Sequence, residues 1–317
     1  MHWEKLGKIF DPSQHNLPND CKLFAQSPQV LLLDDRIRIY FSTRQADTPT
    51  TYLSHIAYVD FTNDFSKVLE VSKKTVLPLG KLGTFDEHGI FPMNVLRFQD
   101  RVLGFTSGIS RRSSVSVETS IGLVESFDNG ESFQRNSDGP ILTSSLHEPF
   151  MVGDPFVQAY EGKLHMWYIN GVRWKPKTAQ EPAARVYKIA HATSLDAIHW
   201  QNDNRQIISD VLNADECQAL PTVIKIKQRY YMYFCYREAS DFRTNKNRAY
   251  RIGCAYSDDL THWTRDDAQA GITVSDQGWD SEMQCYPHVF QKDDVIYLLY
   301  NGNAFGRDGF GLAKLVG

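Results

Sequence analysis

The chain has 317 residues, of which 42% are hydrophobic and 23% are charged, and its formal net charge is -4. This balance is typical of a globular protein and lacks the basic excess of nucleic-acid binders. The sequence contains no run of about 18 apolar residues and no apolar signal region near its start. We therefore expect a cytoplasmic protein whose partners include neither nucleic acid nor membrane.

An apolar segment with a central proline occurs five times. The segments are FAQSPQVLLL, HGIFPMNVLRF, MVGDPFVQAY, CQALPTVIKI and MQCYPHVFQK, with prolines at Pro28, Pro92, Pro155, Pro221 and Pro287. Successive prolines are 63 to 66 residues apart. A regular period of this kind indicates one supersecondary unit that recurs along the chain.

The units continue in the same order. A polar turn such as YEGK follows the proline strand, then a second apolar run that ends 13 residues beyond the proline, then a third strand such as YKIAHATS. In three units a Ser-x-Asp turn leads to an aromatic residue, and we interpret these turns as side chains that cap their own backbone. The apolar stretches PILTSS, QIISDV and AGITVS are expected to form the fourth strands.

Five units of four antiparallel strands, with little helical periodicity, predict an all-β fold, a five-bladed β-propeller. We expect a single domain over residues 1–317, with blades at about 14–80, 81–143, 144–211, 212–275 and 276–317. The last unit stops after its third strand. His2-Trp3 aligns with His199-Trp200 and His262-Trp263. Residues 1–12 are therefore predicted to complete the last blade and to cover a strand edge.

Four acidic residues are candidates for catalysis in the predicted central funnel. Glu87, Glu216 and Glu282 each lie five residues before a repeat proline, and Asp154 directly precedes one. Acid–base chemistry at a sugar needs carboxylates that face each other across a gap. An aspartate among apolar neighbours is expected to have a raised pKa, as a general acid needs. Structural roles are the alternative: the glutamates could bind backbone amides, and Asp154 could cap a turn.

Other side chains near the funnel are candidates for substrate binding. They are Arg44, His88, Arg173, Arg237, Tyr236, Tyr286, His288 and Asn303. Arginines suit a phosphate or a carboxylate, because the guanidinium group binds either with two parallel hydrogen bonds, although surface salt bridges would also explain them. Tyrosines can stack on sugar rings. For the two isolated histidines we favour substrate contact over metal, and we predict no metal and no cofactor. The five widely spaced cysteines predict buried free thiols.

Two stretches resemble a known family. GDPFVQAYEGKLHMWY, around Asp154, is similar to the segment of the family 130 mannoside phosphorylases in which an aspartate before proline is the general acid. YPHVFQKDDVIYLLYNGNAFGRDGFGLA resembles the last blade of the same group. Over the whole chain, the proline-marked units resemble the glycosidase-like five-bladed propellers, which also include hydrolase families 43 and 32. The resemblance implies a glycoside hydrolase or phosphorylase whose ligand is a carbohydrate or a sugar phosphate.

The usual catalytic triad of those hydrolases is not preserved. Families 43 and 32 have an aspartate before the first-blade proline, where this chain has Ser27. Family 43 also has acidic residues at the positions of Met93 and Gly153. Either Asp154 acts with one of the glutamates, or phosphate attacks and no protein base is needed. The competing hypothesis is a non-catalytic sugar-binding propeller in surface-glycan metabolism.

Overall fold

The computed structural model describes residues 1–179 and 182–317, and nearly all regular structure in these ranges is β-strand. The strands are β1 Trp3–Phe10, β2 Leu23–Leu32, β3 Ile37–Thr48, β4 Thr51–Phe61, β5 Val68–Val71, β6 Gly89–Phe98, β7 Arg101–Arg111, β8 Val117–Ser126, β9 Gln134–Arg135, β10 Val152–Tyr160, β11 Lys163–Lys175, β12 Ala184–Ser194, β13 Gln201–Asn202, β14 Cys217–Ile226, β15 Arg229–Arg237, β16 Arg251–Ser257, β17 Thr264–Arg265, β18 Cys285–Lys292, β19 Val295–Asn301 and β20 Phe310–Leu315. Short helical turns span Pro12–Gln14, Pro18–Asp20, Asp267–Ala270 and Asn303–Gly306. The described ranges contain no helix long and apolar enough to span a membrane.

The all-β prediction is confirmed, and the antiparallel sheets follow the repeat. β10–β13 form one four-stranded sheet, β14–β17 form a second, and β18–β20 form a third with β1 at its edge. β2–β5 and β6–β9 form one larger sheet, in which a parallel pair between Ser54 and Gly89 joins two antiparallel sets. Apolar clusters pack between the sheets and include the aromatic residues that lie 13 positions after each repeat proline, within the second strands: Phe41, Phe105, Tyr168, Phe234 and Tyr300. All five cysteines are free and buried, as predicted.

The N-terminal strand completes the C-terminal sheet, as predicted. β1 pairs antiparallel with β20. The register places Trp3 at the position that Trp200 and Trp263 occupy before β13 and β17, which confirms the alignment of the His-Trp pairs. Trp3 is buried, and its ring lies 5.5 Å from that of Tyr233 in edge-to-face contact. This pairing covers an edge of β20 that would otherwise be open to other strands.

The predicted position of the fourth strands is wrong. These strands are the two-residue segments β9, β13 and β17, which directly follow the aromatic residues after the Ser-x-Asp turns. The stretches PILTSS, QIISDV and AGITVS lie outside the strands, apart from one isolated bridge between Ile121 and Leu142. Ile208 and Ile272 in these stretches are buried in clusters between sheets. Hydrophobicity alone does not separate such space-filling segments from short strands.

Each proline strand has a β-bulge at its proline. The pairing register shifts there in β2, β6, β10, β14 and β18. A bulge accommodates proline because one residue leaves the hydrogen-bond ladder, and it also redirects side chains. Four of the residues before the prolines have a left-handed backbone: Ser27 (φ 53°), Asp154 (50°), Leu220 (48°) and Tyr286 (57°). Of these four residues, Asp154 and Tyr286 line the same cavity.

Candidate active site

Asp154 lies on a central cavity of about 80 Å³, which we call the inner cavity. The side chains that matter to its chemistry are Phe91, Asp154, Arg185, Tyr187, Tyr250 and Tyr286. Burial raises the pKa of the Asp154 carboxyl to about 7, although the positive charge of Arg185 acts in the opposite direction. An acid with a pKa near neutrality holds a proton at pH 7 and releases it easily, which suits a general acid.

Packing explains one departure from the family 43 pattern. A Cβ atom at Gly153 would lie 2.7 Å from Ser107 Oγ and 3.1 Å from Thr119 Oγ1, so this position has no room for a glutamate. Ser27 and Met93, at the other two departures, are 1% exposed. Among the described residues, Asp154 is the single carboxylate that lines the inner cavity.

A wider cleft of about 530 Å³ shares one wall with the inner cavity. We call it the arginine cleft, since its lining includes Arg44, Arg185, Arg237, Arg243 and Arg307 together with Phe24, Phe242 and Phe305. Arg307 pairs with Asp308. The structure pairs none of the other four with a carboxylate of residues 1–179 or 182–317. The cleft therefore carries an excess of positive charge, since Glu282 is the one carboxylate of the described residues that lines it.

Arg237 is the most deeply buried of these cations. It is 4% exposed, its guanidinium lies 3.5 Å from the ring centre of Phe242, and its Nε atom has no hydrogen-bond partner among the described residues. The guanidinium of Arg243 lies 4.3 Å from the centre of the same ring. Desolvation and the charge of Arg237 lower the pKa of Arg243. Because a buried cation without a counter-charge is costly, this arrangement indicates a site for an anion.

Two tyrosines connect Arg237 to the inner cavity. Arg237 Nη2 donates a hydrogen bond to Tyr187 Oη (2.7 Å), and the hydroxyls of Tyr187 and Tyr250 are 2.7 Å apart. Arginine can only donate, and one phenolic proton is used between the two hydroxyls. One phenolic O–H of the pair is therefore free to donate to an oxygen of a ligand, and both tyrosines line the inner cavity together with Asp154. Burial raises the pKa of both tyrosines, so they remain neutral donors.

Five predicted site residues lie together in this region. Asp154 and Tyr286 line the inner cavity, and Arg44, Arg237, Tyr286 and Glu282 line the arginine cleft. Glu282 is exposed at the cleft. Asn303 does not line the cleft, but its Oδ1 accepts the backbone N–H of Glu282 (2.8 Å). It therefore positions the loop that carries this glutamate.

Glu216 is held inside the protein by an ion pair with Arg265. Burial, which raises the pKa, is outweighed by hydrogen bonds from Gln218, the Val211 amide and Arg265, so the pKa of Glu216 is lowered. The carboxylate is 2.5 Å from Arg265 Nη1, with both side chains almost fully buried. An ionised, fully paired carboxylate of this kind is poorly suited to proton transfer at a funnel.

The counterparts of Glu216 in other units are not the predicted glutamates. Each of four units has a buried carboxylate held by a residue at the same register position of its fourth strand. The pairs are Asp86 with Arg135 (2.9 Å), Glu148 with Asn202 (2.7 Å), Glu216 with Arg265 (2.5 Å) and Asp280 with Lys5 (2.7 Å). The predicted equivalence of Glu87, Glu216 and Glu282 is wrong, because the loops before the prolines differ in length.

Four further candidates lie outside both cavities. Glu87 accepts the backbone N–H of Gly83 (2.8 Å), and His88 Nδ1 is 3.4 Å from its carboxylate. Arg173 pairs with Asp215 in a separate cleft. Tyr236 on β15 packs with Phe234 and with the guanidinium of Arg265. The contacts of Glu87 and Arg173 match the backbone and salt-bridge alternatives that the sequence left open.

His288 makes a hydrogen bond to the backbone and does not line either cavity. It is 5% exposed, and its Nε2 accepts the backbone N–H of Val30 (3.1 Å), which connects β18 to the neighbouring β2. Burial lowers the pKa of His288 to about 3, so the ring is neutral at physiological pH. Asn94 and Thr222 make equivalent bonds to the amides of Val157 and Val289. The inner strands are thus linked by polar side chains of which His288 is one.

Sequence reasoning missed Arg185, Tyr187, Tyr250 and Arg243. Arg185 and Tyr187 are on the third strand of their unit, in ARVYKIA, and Tyr250 precedes the third strand in NRAYRIG. Tyr187 and Tyr250 are 63 residues apart, which is the repeat distance. A comparison of equivalent positions along third strands, in addition to the proline strands, would have found this pair.

The fold is similar to that of solved glycoside hydrolases and of a glycoside phosphorylase, as the sequence resemblance led us to expect for the fold. The β-1,2-mannobiose phosphorylase from Listeria innocua superposes with a TM-score of 0.69 at 14% identity, covering 98% of this chain and 96% of that one. A thermostable family-43 glycoside hydrolase superposes with a TM-score of 0.67 at 14% identity, covering 94% and 92%. A further glycoside hydrolase reaches 0.74 at 16% identity, covering 98% and 92%.

Sequence comparison identifies the family more narrowly. The chain is 32% identical over 315 residues to the uncharacterized protein Rv1502 of Mycobacterium tuberculosis (strain ATCC 25618 / H37Rv), and the match covers 99% of both chains. The uncharacterized protein MT1551 of the strain CDC 1551 / Oshkosh matches to the same extent. The chain belongs to the family of these two proteins. No model of a known protein family matches it.

Proposed function

We propose that this protein is a carbohydrate-active enzyme that acts on a glycoside or an anionic sugar, with Asp154 as its general acid. The observation that carries the proposal is a buried aspartic acid, whose pKa burial raises to about 7, on a cavity next to a cleft lined by arginines. Buried acids with a pKa near neutrality are typical of glycoside-cleaving sites. The phosphorylase and hydrolases of similar fold support this class of activity.

In the proposed reaction, the glycosidic C–O bond breaks and Asp154 transfers its proton to the leaving oxygen. A phosphate oxygen or a water oxygen forms the new bond to the sugar carbon. Phosphate, which gives a sugar 1-phosphate, needs no protein base, and this suits an inner cavity with Asp154 as its one carboxylate among the described residues. Water would need a base, and Glu282 is the predicted glutamate that lines the arginine cleft.

The arginine cleft has the chemistry to hold the phosphate or a carboxylate of the substrate. Arg44, Arg185 and Arg237 line it without carboxylate partners in the described ranges. Guanidinium groups bind both anions with two parallel hydrogen bonds. The proposal also takes the two halves of the eight-stranded sheet as separate blades, so that residues 1–317 form one five-bladed propeller, and it places the protein in the cytoplasm.

The test is phosphate-dependent release of sugar 1-phosphate from a panel of oligosaccharides, with release of free sugar measured in parallel. We expect turnover by one of these routes and a loss of about 10²- to 10⁴-fold in Asp154→Asn, which keeps the shape of the side chain but cannot act as the acid. Glu87→Gln, outside both cavities, is the matched control and should retain activity. Activity unchanged in Asp154→Asn would overturn the role of Asp154.

A non-catalytic sugar-binding protein is the second candidate. It is favoured by the positions of Glu87 and Glu216, since neither stands opposite Asp154 as a second catalytic carboxylate. Binding of glycans or sugar phosphates, measured by calorimetry, without any turnover under both conditions would support this candidate over the enzyme.

A further inference from the structure

Arg185 faces both Asp154 and the arginine cleft. It lies on β12, two residues before Tyr187, and it lines the inner cavity, the arginine cleft and an adjoining cleft of about 410 Å³. No carboxylate in residues 1–179 or 182–317 forms an ion pair with it. Its charge therefore acts on Asp154 on one side and on any anion in the cleft on the other.

Three effects set the protonation of Asp154. Burial favours the neutral acid, whereas the charge of Arg185 and a hydrogen bond from the Leu220 backbone favour the carboxylate. An anion beside Arg185 would cancel part of that charge and would itself repel a carboxylate. An anion in the cleft therefore raises the pKa of Asp154, because it weakens the effect of Arg185 and leaves that of burial unchanged.

We propose that an anion in the arginine cleft and the proton on Asp154 bind cooperatively, and that Arg185 couples them. The inference rests on the proposed role of Asp154 as general acid and deepens it. A substrate or co-substrate that carries a phosphate or a carboxylate would place the proton on the acid as it binds. Thermodynamic linkage makes the effect reciprocal, so protonation of Asp154 tightens anion binding by the same factor.

Other ionisable groups face Asp154 from four neighbouring elements. They are Tyr187 on β12, Cys235 on β15, Tyr250 before β16 and Tyr286 on β18. Burial raises the pKa of each of these groups above its usual value, so all four stay neutral from pH 6 to pH 8.5. Arginine side chains in general remain charged throughout that range. Asp154 is the member of this group whose charge changes there.

The experiment is isothermal titration calorimetry of the full chain with inorganic sulfate, in two buffers of different ionisation enthalpy, from pH 6 to pH 8.5. Sulfate itself does not titrate in this range, and the ionic strength is held constant. If the anion raises the pKa of Asp154 by one unit, proton uptake peaks at about half a proton per sulfate near pH 7.5. The affinity then falls about sevenfold from pH 6 to pH 8.5.

Three variants separate the coupling from simple anion binding. Asp154→Asn should bind sulfate with an affinity independent of pH and without proton uptake. Arg44→Gln removes a cation that lines the arginine cleft but not the inner cavity. It should weaken binding and retain the uptake per sulfate. Arg185→Gln should lose both the affinity and the uptake.

Several results would overturn the proposal. They are an absence of sulfate binding at millimolar concentrations, uptake that persists in Asp154→Asn, and uptake that is unchanged in Arg185→Gln. None of these measurements involves turnover. If the coupling is absent, the sugar 1-phosphate assay still decides whether Asp154 is the general acid. Conversely, a protein that binds sulfate but turns over no substrate can still show the coupling.

Discussion

Replacing Asp154 with asparagine should stabilise the protein at neutral and alkaline pH. The carboxyl has a pKa of about 7 in the folded state because of burial, against an ordinary value of 3.8 for an aspartate in water. Between these two pH values the folded state binds more protons than the unfolded state, so wild-type stability falls as the pH rises. Well above pH 7, Asp154 is ionised in the folded state, and the whole free-energy cost of burying its carboxylate lowers the stability of the wild-type protein.

The size of the effect follows from the difference of about three pH units. At about 1.4 kcal/mol per unit, the ionised carboxylate costs the folded wild-type protein about 4 kcal/mol at pH 8. The amide of the asparagine variant has no proton to lose. The difference in unfolding free energy between Asp154→Asn and wild type should therefore rise by about 4 kcal/mol from pH 4 to pH 8, or about 6 °C in Tm for a chain of this length.

Urea unfolding at half-unit steps from pH 4 to pH 8.5 measures this difference. All other titrations are common to the two proteins and cancel. Asp100→Asn, in the exposed turn between β6 and β7, is the matched control, because it makes the same change of side chain at the surface. A flat difference for Asp154→Asn, or one that falls with rising pH, would refute both the raised pKa and the general-acid assignment that depends on it.

Three other substitutions test separate parts of the structure. Trp3→Ala should lower the unfolding free energy, measured in urea, by about 3 to 5 kcal/mol, because it removes a buried ring that packs on Tyr233. A loss below about 1 kcal/mol would contradict the packing of β1. Glu216→Gln should lower the unfolding free energy by about 3 kcal/mol, because it removes the buried charged partner of Arg265. It should leave the sulfate affinity unchanged in calorimetry, and a reduced affinity would show that Glu216 belongs to the site. Arg237→Met should change the urea midpoint little, since the described residues give this buried cation no carboxylate partner. It should weaken sulfate binding at least tenfold, and an unchanged affinity would show that the anion binds elsewhere.

Much of the fold could be predicted because the period of the chain is visible in its prolines. Proline in a strand requires a bulge, and the structure has one at all five positions. The pairing of β1 with β20 was predictable because Trp3 repeats a tryptophan position of other units. The fourth strands were misplaced because two paired residues give too short a pattern to detect.

The candidate site was predicted less completely, for a geometric reason. Asp154 and Tyr286 were found because each directly precedes a repeat proline, a position that the period makes easy to compare. The glutamates were misaligned because loops of unequal length precede the prolines, so a fixed offset does not select equivalent positions. Arg185 was missed because its importance depends on the side chains that surround it in space, and those come from distant parts of the sequence.

The pairing of β1 with β20 also affects the order in which the molecule can fold. Its two strands, Trp3–Phe10 and Phe310–Leu315, are separated by almost the whole chain, whereas most other sheet contacts join neighbours in sequence. Loop closure over so many residues is among the slowest and entropically most costly steps available to a chain. During synthesis, the first strand must wait without a partner until the last has left the ribosome. For that interval Trp3 is an exposed hydrophobic side chain, and chaperone binding or aggregation of the nascent chain should depend on it.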